Sequence, residues 1–262
     1  MIHPTAIIDP KAELDPSVEV GPYAIIDGGV KIGAGCKLGP FVHLTGETTI
    51  GSNNRFHTGC VIGDEPQDLK YKGEPTRLRI GDHNIFREHA NVHRSNQMAE
   101  DTVIGSHNML MANSHIGHNV TLGDHIIVAN GVLIAGHATV ADRVFLSGNC
   151  LVHQFVRIGT LALMQGGAAI SKDLPPYCIA RGDNGICGLN VIGLRRSGIP
   201  PEERLQLKQA YHALFRSHDL RAEALEKARA RFELPSVRLL LDFVAASKRG
   251  ICADTGFVSE EE

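Results

Sequence analysis

Aliphatic residues recur along the first two thirds of the chain with a period of six. Taking every sixth residue from Ile2 to Ile170 gives 29 positions, and all except Asp68 and Glu74 are apolar. With 43% hydrophobic residues overall, chance would fill about 12 of them. The next residue is Gly ten times: Gly21, Gly33, Gly39, Gly51, Gly63, Gly81, Gly105, Gly117, Gly123 and Gly159. Four places after the aliphatic position stands a small or β-branched residue, as at Ala6, Ala12, Val18, Ala24, Val30, Cys36 and Val42. Neither a helix (period 3.6) nor a flat strand (period 2) produces a strict six. A coil of three short strands and three tight corners does, with each strand turning one aliphatic and one small side chain inward. The recurrent Gly suits a corner that needs either a positive φ or a close backbone approach. Three hexads then make one coil. Coils stacked ~4.8 Å apart predict roughly ten coils in a prism about 50 Å long.

Two stretches interrupt the repeat. Asp64–Arg79, reading DEPQDLKYKGEPTRLR, carries both failed positions and two prolines, and predicts a projecting loop. Arg94–Thr102, reading RSNQMAEDT, is equally polar, but its Met98 keeps phase, so it reads as a loop or as a poor hexad. Polar loops in so regular a solenoid point to function. The repeat ends at Pro175-Pro176, and a Gly-rich connector follows. After Pro200-Pro201, Leu207, Ala210, Tyr211, Leu214 and Phe215 fall at helical spacing. A second helix is expected over Arg221–Phe232. A third is expected from Pro235, with Val237, Leu240, Leu241 and Val244 on one face. The expected class is therefore mainly β: a parallel β-helix over 1–183, a small α-helical domain over 184–250 and a disordered acidic tail over 251–262.

Composition narrows the function. The 26 basic and 29 acidic residues leave a net charge of −3, which argues against nucleic-acid binding driven by bulk charge. No apolar run is long enough to insert in a membrane, and MIHPTAIIDP has no secretory pattern. The six cysteines form no C-x-x-C pair, so they read as reduced, buried thiols of a cytoplasmic protein. Charge is nonetheless uneven. Residues 185–249 hold 12 Lys/Arg against 7 Asp/Glu, a basic patch suited to an acidic partner or simply a solvated helix surface.

Fourteen histidines is a high count. The hexads at Ile116, Ile134 and Val152 are one full coil apart and should stack on one face. They bring together His118, His137 and His153, with His115 just before and Gln154 just after. Metal binding, a structural cluster and general-base chemistry are all open to such a group. No cysteine or well-placed carboxylate lies beside these histidines in the sequence, which disfavours a metal. An imidazole titrating near pH 6.5 suits a base for a hydroxyl proton. A second series, His89, His107 and His125, shares the one-coil spacing and predicts a polar edge ladder.

The hexad pattern resembles the hexapeptide-repeat family of left-handed parallel β-helices, and the left hand comes from that resemblance. The segments QDLKYKGEPTR, NSHIGHNVTLG, IAGHATV, LVHQF, LPPY and GLNVIGLRRSG narrow it further. They resemble the UDP-N-acetylglucosamine O-acyltransferase family that begins lipid A biosynthesis. This resemblance implies transfer of an (R)-3-hydroxyacyl group from acyl carrier protein to the sugar 3-hydroxyl. It also implies a homotrimer with sites between adjacent prisms, and neither metal nor cofactor. His118 would be the general base and the Gly136 N–H the oxyanion donor. Asp68, Lys70, His115, His137, His153, Gln154, Asn190 and Arg196 match positions that contact the sugar nucleotide. Gly166 matches the position that measures acyl length, and a glycine there implies a longer-chain preference. The basic helices, with Arg216 and Arg221 among them, would meet the acidic carrier. The residue after His118 is Asn119, where a familiar member of the family has Asp; Asn can hold a tautomer but cannot neutralise an imidazolium. Two alternatives share the fold: N-acylation of a 3-amino sugar nucleotide, and a trimeric scaffold without catalysis.

Overall fold

The computed structural model describes residues 1–217 and 221–256. Residues 257–262 of the expected tail and the Arg221 side chain lie outside the described residues. Three sheets of nine, eight and eleven strands, parallel except for one antiparallel pair in the last, form the walls of a prism, and most strands are two residues long. From Ile7 to Ile170, consecutive strands along the chain belong to different sheets. The first face runs Ile7–Ile8, Ile25–Ile26, His43–Leu44, Val61–Asp64, Asn91–His93, His115–Ile116, Leu133–Ile134, Leu151–Val152 and Ala169–Ile170. Inside, the aliphatic positions are closed to solvent, as at Ile62, Ile116 and Ile134, and so are the small residues between them, such as Ala24, Cys36 and Val132. All six cysteines are free and buried.

Close approach explains the recurrent glycines. Nine of the ten do not have positive φ; only Gly63 does. A Cβ on Gly33 would stand 2.8 Å from the backbone of Gly51 in the next coil, and one on Gly117 would stand 2.8 Å from the Gly136 nitrogen. The left-handed corner falls two residues later, on side-chain-bearing residues such as Tyr23, Asn53, His107, Asn119 and His137. Asn and His tolerate this region better than most residues. Five of the fourteen histidines (His83, His89, His107, His125 and His137) occupy such corners, so part of the histidine count belongs to turn geometry.

Both interruptions are whole numbers of hexads. Ile50 pairs with Ile80, five hexads on, and Phe86 pairs with Leu110, four hexads on. Regular coils, such as those of Ile116 and Ile134, are three hexads apart. The first loop thus adds two hexads and the second adds one. The phase of the repeat survives, but each insertion moves the chain on to a different face. Met98 keeps phase yet is half exposed on the second loop. The expected ladder His89, His107, His125 is corrected for the same reason. His89 turns a different edge, its N–H bonded to the Thr58 carbonyl. The ladder is His83, His107 and His125, whose rings stack 4.9 and 4.8 Å apart.

Beyond Ile170 a hairpin of Cys178–Arg181 and Gly185–Leu189 continues the eleven-stranded sheet. Helices follow at α1 (Val191–Arg196), α2 (Pro201–Phe215), α3 (Arg221–Arg231) and α4 (Pro235–Ala245). Leu207, Ala210, Leu214, Val237, Leu240, Leu241 and Val244 pack with Leu161 and Tyr177 in a second core. The start of the expected tail is ordered. Ala253–Asp254 pairs in parallel with Gly185–Ile186, and Cys252 is fully buried. Asp254 accepts hydrogen bonds from Tyr211 (2.9 Å) and Arg216 (2.5 Å), so Arg216 clamps this strand as an internal ion pair.

Candidate active site

The two loops leave the same corner of the prism in successive coils, after Val61–Asp64 and after Asn91–His93, which pair with each other. The next three coils present His118, then Gly136 and His137, then Gln154 and Phe155 at that corner. Two adjoining clefts result. The outer one, about 500 Å³, is lined by Gln67, Asp68, Lys70, Asn96, His118 and His137 among others. The inner one reaches His93, His115, His118, Gly136 and Gln154.

Polar side chains hold the loops over the clefts. The buried Arg94 guanidinium donates to the Gly63 carbonyl (2.9 Å) and the Tyr71 hydroxyl (3.0 Å). Asn96 donates from its side chain to Asp68 (2.7 Å), tying one loop to the other. The Lys70 N–H also donates to Asp68, and these bonds hold its carboxyl below the usual range.

The imidazoles around His118 are shifted towards the uncharged form. Burial pushes His115 down to about 4, and the neighbouring His93 and His118 act in the same direction. His93 and His137 are lowered as well, chiefly by burial. His93 donates from Nδ1 to the Glu65 carbonyl, leaving a buried Nε2 with no partner among the described residues. His118 and His137 meet edge to face at 5.1 Å.

The tautomer of His118 follows from its neighbour. The Asn96 backbone N–H can only donate, and it reaches Asn119 Oδ1 at 3.0 Å. That fixes Oδ1 as an acceptor, so His118 Nδ1, 2.9 Å away, carries the proton. Nε2 is left with its lone pair free, and the ring lies against Gly136, where a Cβ would stand 2.7 Å from Cε1 and 2.8 Å from Nε2. The Gly136 N–H makes no hydrogen bond among the described residues. A base and an unpaired N–H donor therefore lie side by side in a cleft of neutral imidazoles.

His118, Asn119, Gly136, His137, His115, Asp68, Lys70 and Gln154 are thus brought together. His153 lies in an adjoining apolar groove with Leu133, Leu151 and Ile170, which shares His115 and Ala135 with the inner cleft, and Arg249 approaches it at 3.4 Å. Asn190 and Arg196 line neither histidine cleft. Asn190 is the buried N-cap of α1, accepting from Gly193 and donating to the Leu161 carbonyl. Gly166 is exposed at a separate corner. Sequence reading missed His93, Asn96 and Glu100. Glu100 Oε2 lies 3.7 Å from His137 Nδ1 and 3.2 Å from Asn119 Nδ2, so a carboxylate does stand beside the cluster. Counting the second loop as one hexad added to a coil would have revealed His93, since Asn91–His93 then aligns with His115–Ile116. Among the described residues, no group of three or more His, Cys, Asp or Glu is arranged to hold a metal, and no helix is long and apolar enough to cross a membrane.

The prism of hexads is that of the hexapeptide-repeat transferases: the bacterial transferase hexapeptide model matches residues 29–64 and 101–136. A second model, described as UDP-N-acetylglucosamine O-acyltransferase, domain 2, matches residues 173–252. The chain is 46% identical to the acyl-(acyl-carrier-protein)–UDP-N-acetylglucosamine O-acyltransferase of Myxococcus xanthus, over 95% of this chain and 98% of that one. It is similar to the structure of LpxA from Acinetobacter baumannii, with a TM-score of 0.92 and 42% identity over 95% and 98% of the two chains. The Francisella novicida UDP-N-acetylglucosamine acyltransferase follows at 0.90 and 35%, over 97% and 95%. The chain belongs to the UDP-N-acetylglucosamine O-acyltransferase family and has its left-handed β-helix with a small helical C-terminal part.

Proposed function

We propose that the chain transfers an (R)-3-hydroxyacyl group from acyl carrier protein to the 3-hydroxyl of UDP-N-acetylglucosamine, the first step of lipid A biosynthesis. The observation that carries the mechanism is the pairing of His118 Nε2 with the unbonded Gly136 N–H. His118 removes the proton of the sugar hydroxyl as that oxygen attacks the thioester carbon. Gly136 donates to the carbonyl oxygen as it gains charge, in a position fixed before the reaction begins. The tetrahedral intermediate then expels the carrier thiolate, and the proton on His118 Nε2 passes to the sulfur. Neutral His115 and His137 leave the base free to become the one new cation in the cleft. Asp68, Lys70 and Gln154 hold the sugar nucleotide.

The chain acts as a homotrimer in this reading. Exposed Ile7, Ile25, Leu133 and Leu151 on the first face support it, as an apolar strip suited to a neighbouring prism. Asn190, Arg196 and His153 then complete the site across that contact. Basic helix residues meet the carrier in the cytoplasm; Arg216, committed to Asp254, is not among them. Acyl transfer by the purified chain, with carrier thioesters and either UDP-N-acetylglucosamine or its 3-amino analogue, tests the assignment. His118→Ala should lower kcat ~10²–10⁴-fold with unchanged melting. A variant keeping half of wild-type kcat would remove His118 from the base role.

A further inference from the structure

Asn119 is neutral, so the side chain bonded to His118 Nδ1 brings no charge to balance an imidazolium. Its amide, however, is bonded on every side. Oδ1 accepts from His118 Nδ1 and from the Asn96 N–H, while Nδ2 donates to Ser95 Oγ (2.8 Å) and to Glu100 Oε2 (3.2 Å). Asn119 is buried and sits at a left-handed corner with φ of 58°, so it has little freedom to turn. Its orientation is settled from both ends, because the Asn96 N–H can only donate and the Glu100 carboxylate can only accept.

We infer that Glu100 is a positioning residue for the proposed acyl transfer, acting through the Asn119 amide to orient His118 and to supply the negative charge that Asn119 lacks. A carboxylate accepting from Nδ2 polarises the amide and raises the electron density on Oδ1, the atom that receives the His118 proton donor. When His118 takes the hydroxyl proton, the new cation faces Oδ1, with Glu100 behind it. No proton reaches Glu100 at any stage. The extra hexad thus brings a carboxylate to a coil whose own corner residue is uncharged. The Glu100 side chain is 58% exposed, so solvent screens it and the effect is smaller than that of a buried partner.

The other charged and titratable groups facing His118 are His93, His115, His137, Asp68 and Lys70. Glu100 also lies near His137, so the test must separate the two routes. Glu100→Gln keeps an acceptor for Asn119 Nδ2 and removes only the charge. It should lower kcat about three- to tenfold with little change in KM. The acidic limb of kcat/KM should move to lower pH by a few tenths of a unit, since losing a nearby anion makes His118 harder to protonate. In an Asn119→Ala background the same change should have a clearly smaller effect, because the hydrogen-bonded route through the amide is cut and only the solvent-screened field of the carboxylate remains. Asn119→Asp alone sets two carboxylates against each other. Asn119→Asp with Glu100→Gln restores a single carboxylate, now beside His118, and should recover kcat above either single variant.

An unmoved pH limb and unchanged kcat in Glu100→Gln would overturn the inference. So would an equal loss in the Asn119→Ala background, which would place the effect on His137. This proposal rests on His118 being the base, so His118→Ala is measured alongside. If that variant stays active, the base assignment fails; if it is inactive while Glu100→Gln is neutral, only the role of Glu100 fails.

Discussion

The regular coils and the two inserted loops sit on the same corner, yet they are held by different forces. In the coils the backbone carries the order. Gly117 donates to the Ile134 carbonyl at 2.8 Å, His115 to that of Val132 at 2.9 Å, and the pattern repeats along the prism. Side chains add a packed interior, and the chemistry of an outward residue hardly matters to the fold. In the loops the ties are mainly side chains: Arg94 to Gly63 and Tyr71, Asn96 to Asp68, Asn119 to Ser95 and Glu100. The coils therefore set positions through the backbone ladder, and the loops supply polar groups that a two-residue strand has no room for. Because each insertion is a whole number of hexads, the stack above it resumes in phase, and the loops leave the core undisturbed.

This contrast says where each region should fail. The largest effect is expected from the backbone contact in the coils. Gly33→Val places two further methyl groups where even a Cβ stands 2.8 Å from the Gly51 backbone. The coils cannot spread without lengthening the ladder, so the cost should be about 3 kcal/mol, read as a lower melting temperature with kcat of the remaining folded enzyme unchanged. Unchanged melting would mean that the N-terminal coils flex enough to absorb the side chain, and the rigidity attributed to them would be wrong.

The loops should respond in the opposite sense. Arg94→Met keeps much of the buried volume but removes the donors that fasten Gly63 and Tyr71. We expect KM for the sugar nucleotide to rise roughly tenfold, a loss of ~1.4 kcal/mol in binding, while melting moves far less than in Gly33→Val. A large fall in melting with KM unchanged would show that the loops support the prism and that the distinction between the two regions does not hold.

The same contrast marks what could be read from the sequence. A strict period imposed by an interior of fixed width leaves its trace at every sixth residue, so the prism, the inward residues and the helices after Pro200 are legible. Facing is legible only between insertions. His115, His118 and His137 lie in uninterrupted coils and meet as their spacing requires, whereas His89 lies below the second loop and turns a different edge. Loop contacts leave no period at all. Nothing about Glu100 or Asn96 in sequence places them beside Asn119, and Arg216 looks like any other basic helix residue although it is bound to Asp254. The tail misleads for a similar reason: Ala253–Asp254 is too short and polar to look like a strand, but it closes the edge left open by Gly185–Leu189.

The smallest expected effect is the sharpest test of the coils as a scaffold that tolerates outward change. Gly166 is exposed, has no positive φ, and an added Cβ would meet only the Gly148 carbonyl, at an ordinary 3.6 Å. Unlike Gly33, it is therefore free to accept a side chain, and Gly166→Met should melt with the wild type. If the end of the acyl chain reaches this corner, methionine occupies the space of its last carbons and donors shorter by a few methylenes gain. Each methylene excluded from a contact it formerly made is worth about 0.8 kcal/mol, near a factor of four in kcat/KM. Competition between long and short 3-hydroxyacyl carrier thioesters reads the ratio directly, and the rate with the preferred shorter donor should stay near that of the wild type. A ratio that does not move, in a variant that melts normally, would place the end of the acyl groove at another corner of the prism. A ratio that moves only because every donor slows would mean that this outward position is coupled to the cleft, and that the coils transmit more than position.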